Sequence, residues 1–340
     1  MLNINNLQTT KIPKPFPEPP KINSRKLNYK KAIFTLENTY YDNTLDYDQF
    51  NKTIETMAQL CRQKIKEKKL NPQNDMVKKM TIFNFMMDTF SVKLPGKEQR
   101  FVHMPMKYDF EDIWGERDLT KMFVTKLLRE NTGNCTSLPE LYLILSQELG
   151  TPAFLSRSPM HSFIKIQDEN GNWYNLELTT NCILSDYHYM NNSFIKAEAI
   201  RNKIYLAPLT EKETISQFMS ELASVYIRKH GYDSFVRQCI DTALVYYPKC
   251  TTAYLVNANY HTARALYVWE RVGSPHVSEL KNFPQADSLR NVMLRSYDQL
   301  MATGYEDTPE EVYDNWLKAI EKEKQKPEYK KSIQLLNIIK

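Results

Sequence analysis

The sequence predicts an α+β fold, on three observations. Apolar residues recur at steps of three and four before about residue 90 and after about residue 210. Between residues 150 and 180 the pattern changes to short runs separated by Asn170-Gly171, a hairpin signal. Gly is scarce, at 8 of 340 residues, whereas Tyr at 21 and Phe at 15 are plentiful, which suits helices packed through aromatics. The expected organisation is an extended arm over 1–25, a core with N-terminal helices and a small antiparallel sheet over 26–208, and an all-α region over 209–340.

In chain order, Pro13, Pro15, Pro17, Pro19 and Pro20 favour polyproline conformation in the arm. Phe50, Ile54, Met57, Leu60, Cys61 and Ile65 mark one face of a helix over 48–66. Met76, Met80, Phe83, Met86 and Phe90 do the same over 75–90, and such spacing reads as core. Residues 93–116, with Pro95, Gly96, Pro105 and Gly115, read as irregular. Asp118 is a candidate N-cap for a helix through Leu128.

A further helix carries apolar residues at 138, 141, 142, 145 and 149 and stops at Gly150. Ser137 and Glu140 have capping-box spacing, and Pro139 falls in the first turn, where its missing N–H does no harm. Cys135 therefore lies within two residues of the helix start. Residues 153–155, 161–167 and 173–178 are the strand candidates. Beyond Thr210, helical stripes cover 215–227, 235–247, a run from Thr251 and a last segment with Val312, Trp316 and Ile320.

The register of the hairpin decides which residues can meet. A two-residue Asn170-Gly171 loop pairs Ile164 with Glu177 and puts His161 and Glu177 on opposite faces. A three-residue Glu169-Asn170-Gly171 loop pairs Ile164 with Leu176, with Gly171 in the left-handed position. Ile164, Ile166, Tyr174, Leu176 and Leu178 then share one face, as burial demands. His161 and Glu177 become diagonal neighbours on the other face, about 7–8 Å apart at the backbone. The apolar pattern selects this second register.

A thiol at a helix start, an imidazole and a carboxylate together suggest nucleophilic chemistry. A free thiol, with a pKa of about 8.5, is mostly protonated at neutral pH. The helix N-terminus and an adjacent imidazolium both favour its thiolate. A carboxylate behind the ring would fix which nitrogen faces sulfur.

The pieces GNCTSLPELYLILSQELG, MHSFIKI and GNWYNLELT resemble the transglutaminase-like, papain-like cysteine enzyme superfamily. The resemblance is close over about 45 residues and looser over 75–205. It implies a papain/transglutaminase-like core with Cys135 as nucleophile, His161 as base and Glu177 as orienting acid. Glu177 stands where that family usually has Asp. The variant looks like a bacterial branch with a helical extension. Asn134 and Trp173 are candidates for oxyanion or substrate contacts. Ala243, Pro248, Ala253 and Tyr260 are similar to one junction of a tetratricopeptide-type repeat, without a second copy at 34 residues.

The expected activity is thiol-dependent hydrolysis of amide or peptide bonds through an acyl-enzyme on Cys135, with a protein or peptide as substrate. Two alternatives stay open: acyl transfer to an amine, and a peptide-binding scaffold with a vestigial site, in which the C-terminal helices would hold the peptide. No cofactor is expected. Five cysteines, widely spaced and without a CxxC pair, do not suggest a disulfide framework or a metal site; Cys182 and His188 form no recognisable ligand set. Net charge is +5 from 45 basic and 40 acidic residues, interspersed, which argues against a nucleic-acid footprint. No apolar run is long enough for a membrane span. The chain as given reads as cytoplasmic, and an exported protein whose leader had been removed would read the same.

Overall fold

A computed structural model describes residues 27–306 apart from Trp114 and Phe194, and, further along, residues 311, 315, 316, 318 and 319. The Pro-rich arm, Val312, Ile320 and the final Lys- and Glu-rich tail lie outside the described residues. The chain forms two compact units. One comprises Asn28–Glu37 and Thr44–Thr210 and also carries Trp316; the other comprises Asn38–Asn43 and Glu211–Glu306.

Three helices come first: α1 (Tyr29–Tyr40), α2 (Tyr47–Glu67) and α3 (Asp75–Met87). The Asp46 carboxylate caps α2 by accepting from the Asp48 and Gln49 N–H groups. That helix buries Phe50, Ile54, Leu60, Cys61 and Ile65, as their spacing predicts, while Met57 is half-buried. The helix α3 buries Met76, Met80, Phe83 and Met86. Phe90 is not part of it: that residue opens β1 (Phe90–Lys93), which pairs antiparallel with β2 (Arg100–His103). This hairpin corrects the irregular reading of 93–116. Its strands are four residues each, too short and too mixed in polarity to show an alternation.

The chain continues through β3 (Lys107–Tyr108), a 3-10 turn (Leu119–Met122), α4 (Val124–Glu130), β4 (Thr132–Gly133) and α5 (Ser137–Leu149). The single helix expected from Asp118 is therefore two pieces. Asp118 caps only the 3-10 turn, and Phe123 is extended and separates that turn from α4. Inside the first unit, Glu37 of α1 closes the break by accepting from the Val124 and Thr125 N–H groups at 2.6 and 2.9 Å.

Four strands then form an antiparallel meander: β5 (Phe154–Ser158), β6 (His161–Gln167), β7 (Trp173–Glu177) and β8 (Cys182–Leu184). The first runs three residues past its expected end, and the last, only three residues long, has no sequence signal of its own. Ile164 pairs with Leu176 and Gln167 with Trp173. Asp168 and Asn172 close the loop, and Gly171 has φ +84°. This is the three-residue register that the apolar pattern selects. The helix α5 packs on β5 and β6. The face that carries His161 is covered by a cluster of Phe163, Leu184, Tyr189, Ile204, Leu206 and Trp316. Two short helices, α6 (Asp186–Asn192) and α7 (Ala197–Arg201), complete that cover.

The second unit consists of α8 (Glu211–His230), α9 (Ser234–Tyr246), α10 (Thr251–Arg271) and α11 (Pro284–Ala302). It is built as two helical hairpins, α8 on α9 and α10 on α11. Ala243 and Ala253 are fully buried, as small residues are where helices approach closely.

Gly171 carries the hairpin register through its left-handed backbone. Gly171→Val should lower stability by about 1–2 kcal/mol because a β-branched residue is strained there. Asn170→Ala, at a position without positive φ, should be close to neutral. Urea unfolding of both variants checks this; equal stabilities would remove the role given to Gly171.

Candidate active site

The segment that carries Cys135 is irregular and is held from both sides. Lys126 of α4 is buried, and its ammonium donates to the Asp109 carboxylate at 2.6 Å and to the Thr132 hydroxyl and carbonyl at 2.7 and 3.1 Å. That single cation ties α4 to the parallel β3–β4 pair just before the thiol. After it, the Asn134 side chain accepts from the Thr136 and Ser137 N–H groups at 3.0 and 3.2 Å. The Ser137 hydroxyl returns the contact by accepting from the Asn134 N–H at 3.1 Å. A Cβ at Gly133 would meet that hydroxyl at 2.6 Å, so the position needs glycine for space.

These bonds reassign one sequence-level expectation. The donors at the start of α5 are taken by Asn134, rather than by a Ser137–Glu140 capping box. Asn134 also donates one N–H of its amide to the Ile113 carbonyl at 3.2 Å, so its side chain holds local structure on both sides. Trp173 stands apart from the site. It is 42% exposed, packs edge-on against Phe154, and begins the strand that Glu177 ends, about 13 Å away along the backbone.

The other three expected residues do come together. His161 Nε2 lies 2.8 Å from Glu177 Oε2, and the Cys135 thiol is close enough to the same imidazole to raise its pKa. Cys135 is 6% exposed, His161 3% and Glu177 0%.

A charged pair at this depth must be held by its neighbours. Burial alone would push His161 down, but the Glu177 charge, the nearby Cys135 thiol and the hydrogen bond with Glu177 lift its pKa to about 10. Burial likewise pushes Glu177 up. The His161 charge and the hydrogen bonds from His161, Tyr189 and Thr179 outweigh it and hold the carboxyl below the usual range. Tyr189 donates its hydroxyl to Glu177 Oε2 at 2.7 Å, and the Thr179 N–H donates to Oε1 at 2.9 Å. Both carboxylate oxygens are therefore pinned, which removes the slack that the extra methylene of a glutamate introduces.

Tyr189 and Trp316 are site residues that sequence reasoning missed. The α6 helix that bears Tyr189 is clamped onto the strands through Asp186, which accepts from Lys165 at 2.7 Å and from Asn175 at 2.8 Å. The Tyr189 ring stacks on Phe163 at 4.2 Å and 15°. Trp316 is buried, and its ring centre lies 4.2 Å from that of His161. Neither residue has a sequence signal that links it to Cys135: one sits on a seven-residue helix, the other far along the chain.

No group of three or more His, Cys, Asp or Glu among the described residues could hold a metal ion. No helix among the described residues is long and apolar enough to cross a membrane. No protein-family model, curated protein or solved structure matches the chain.

Two outcomes follow from this geometry. Asn134→Ala removes the acceptor that starts α5 and should cost about 1–2 kcal/mol, whereas Asn134→Asp keeps the acceptor and should retain most of that stability, as thermal unfolding would show. The raised pKa of His161 gives a stabilisation that is complete below pH 6.5 and is lost as pH rises through about 10. Urea midpoints of the wild type and His161→Gln should therefore converge between pH 6.5 and 10. A gap that stays constant over that range would show that His161 is not held as a cation.

Proposed function

We propose that this chain is a thiol-dependent hydrolase of amide or peptide bonds that works through an acyl-enzyme on Cys135. The observation that carries the reading is the buried His161 ring, bound at Nε2 to Glu177, with the Cys135 thiol close enough to raise its pKa. The order of the three residues, with the thiol at a helix start and the other two on one hairpin face, supports a transglutaminase-like core.

In this reading the imidazolium and the thiolate form an ion pair, with Glu177 orienting the ring. Sγ attacks the carbonyl carbon, and the π electron pair moves onto oxygen. Collapse of that intermediate expels the amine, which takes its proton from His161 and leaves a thioester. Water, deprotonated by His161, then releases the acid and the thiol. The apolar surroundings supplied by Phe163, Tyr189 and Trp316 strengthen the ion pair by lowering the local dielectric.

The test is the pH profile of iodoacetamide alkylation at Cys135, read by mass spectrometry of its peptide. The protein supplies its own reference thiols: burial pushes the pKa of Cys61 far up and that of Cys239 up to about 12. Cys135 should react below pH 7, and His161→Ala should abolish that reactivity. Alkylation of Cys135 no faster than of Cys61 would sink the enzyme reading.

A further inference from the structure

Two serine hydroxyls lie on the face of the sheet that carries His161. Ser158 pairs with His161 in the β5–β6 ladder, and Ser156 pairs with Phe163 one step further along. Ladder partners point their side chains to the same side, with Cβ atoms about 4.5–5.5 Å apart. Both hydroxyls are buried, Ser158 being 1% exposed, and neither makes a hydrogen bond with any described residue. A buried hydroxyl without a partner is destabilising by about 1–3 kcal/mol, so its presence calls for a reason.

Position separates the two. Ser158 and His161 close a tight turn through Pro159 and Met160, the latter at φ +56°. The backbone therefore fixes Ser158 against the imidazole, and the Cys135 thiol is close enough to that same ring to raise its pKa. At the start of α5 the Thr136 and Ser137 N–H groups are taken by Asn134. The Cys135 N–H donates to no described residue. The site thus holds one unused backbone donor at the nucleophile and one unused hydroxyl beside the imidazole.

We infer that Ser158 is a catalytic residue that donates its hydroxyl, together with the Cys135 N–H, to the oxygen of the acyl group attacked by Cys135. The inference rests on the acyl-enzyme reading above. When Sγ bonds to the carbonyl carbon, the C=O π pair moves to oxygen, and that oxyanion accepts both hydrogen bonds. When the C=O bond re-forms, the leaving group departs with the electron pair of its bond to carbon, and Ser158 keeps its proton throughout. A donor used only at this stage has no partner in the resting site, as is observed.

The experiment compares two reactions of the same thiol. With p-nitrophenyl acetate, Sγ attacks a carbonyl, an oxyanion forms, and p-nitrophenolate leaves in a burst as Cys135 becomes acetylated. With iodoacetamide, Sγ displaces iodide from a saturated carbon and no oxyanion forms. Ser158→Ala should slow the acetylation burst by about 100-fold, the scale of one lost oxyanion donor. Its iodoacetamide rate and pH profile should stay unchanged. Ser158→Thr, which keeps the hydroxyl, should restore the burst, and Ser156→Ala should leave it intact. An undiminished burst in Ser158→Ala overturns the role of Ser158 and leaves the acyl-enzyme reading standing. Equal slowing of acetylation and alkylation also overturns it, since Ser158 would then only pack against His161. No burst in the wild type overturns both.

Discussion

The buried His161–Glu177 pair is the interaction on which the first unit depends. A carboxylate with no exposure and an imidazolium beside it are stable only if every donor and acceptor around them is satisfied. Here the His161 ring, the Tyr189 hydroxyl and the Thr179 N–H all point at one carboxylate. Those donors come from one strand, the turn after Glu177, and a short helix. Their positions must therefore be correlated, and the pair cannot form until the hairpin register, the turn and α6 are all in place.

The same device recurs around the nucleophile. Irregular segments in this unit are held by buried charges rather than by apolar packing alone. Lys126 gathers Asp109 and Thr132, Glu37 closes the start of α4, and Lys165 grips Asp186 and the Leu206 carbonyl. The Glu37 carboxyl is pushed up to about 7 by burial, which its bonds to Thr125 and Val124 only partly offset. Each of these groups ties a loop or a short helix to a regular element. Directional bonds suit that task because a hydrogen bond fixes an angle as well as a distance. The unit beyond Thr210 uses another economy, with small residues such as Ala243 and Ala253 letting helices pack closely.

Much of the site was legible in the residues themselves. A period-2 pattern flips completely with a one-residue slip, so Ile164, Ile166, Leu176 and Leu178 admit only one register of the hairpin. That register puts His161 beside Glu177 with no tertiary information. The α5 stripe places Cys135 at a helix start for a similar reason, since helix ends are marked by local chemistry such as Gly150. The capping role of Asn134 is not legible in the sequence, because a capping amide and any other amide next to a nucleophile look the same in one dimension. The β1–β2 hairpin was invisible because four-residue strands with mixed exposure carry too little pattern.

The sequence by itself determined the α+β class, the hairpin register and the proximity of His161 to Glu177, because these follow from periodicities of a few residues. Only the tertiary structure decided that the glutamate is pinned at both oxygens, that Tyr189 and Trp316 enclose the imidazole, and that Ser158 stands beside it without a partner. Those facts depend on contacts between residues far apart in the chain. No local pattern encodes them, because a tyrosine or a serine obeys the same local preferences whether or not a distant carboxylate or thiol lies within reach.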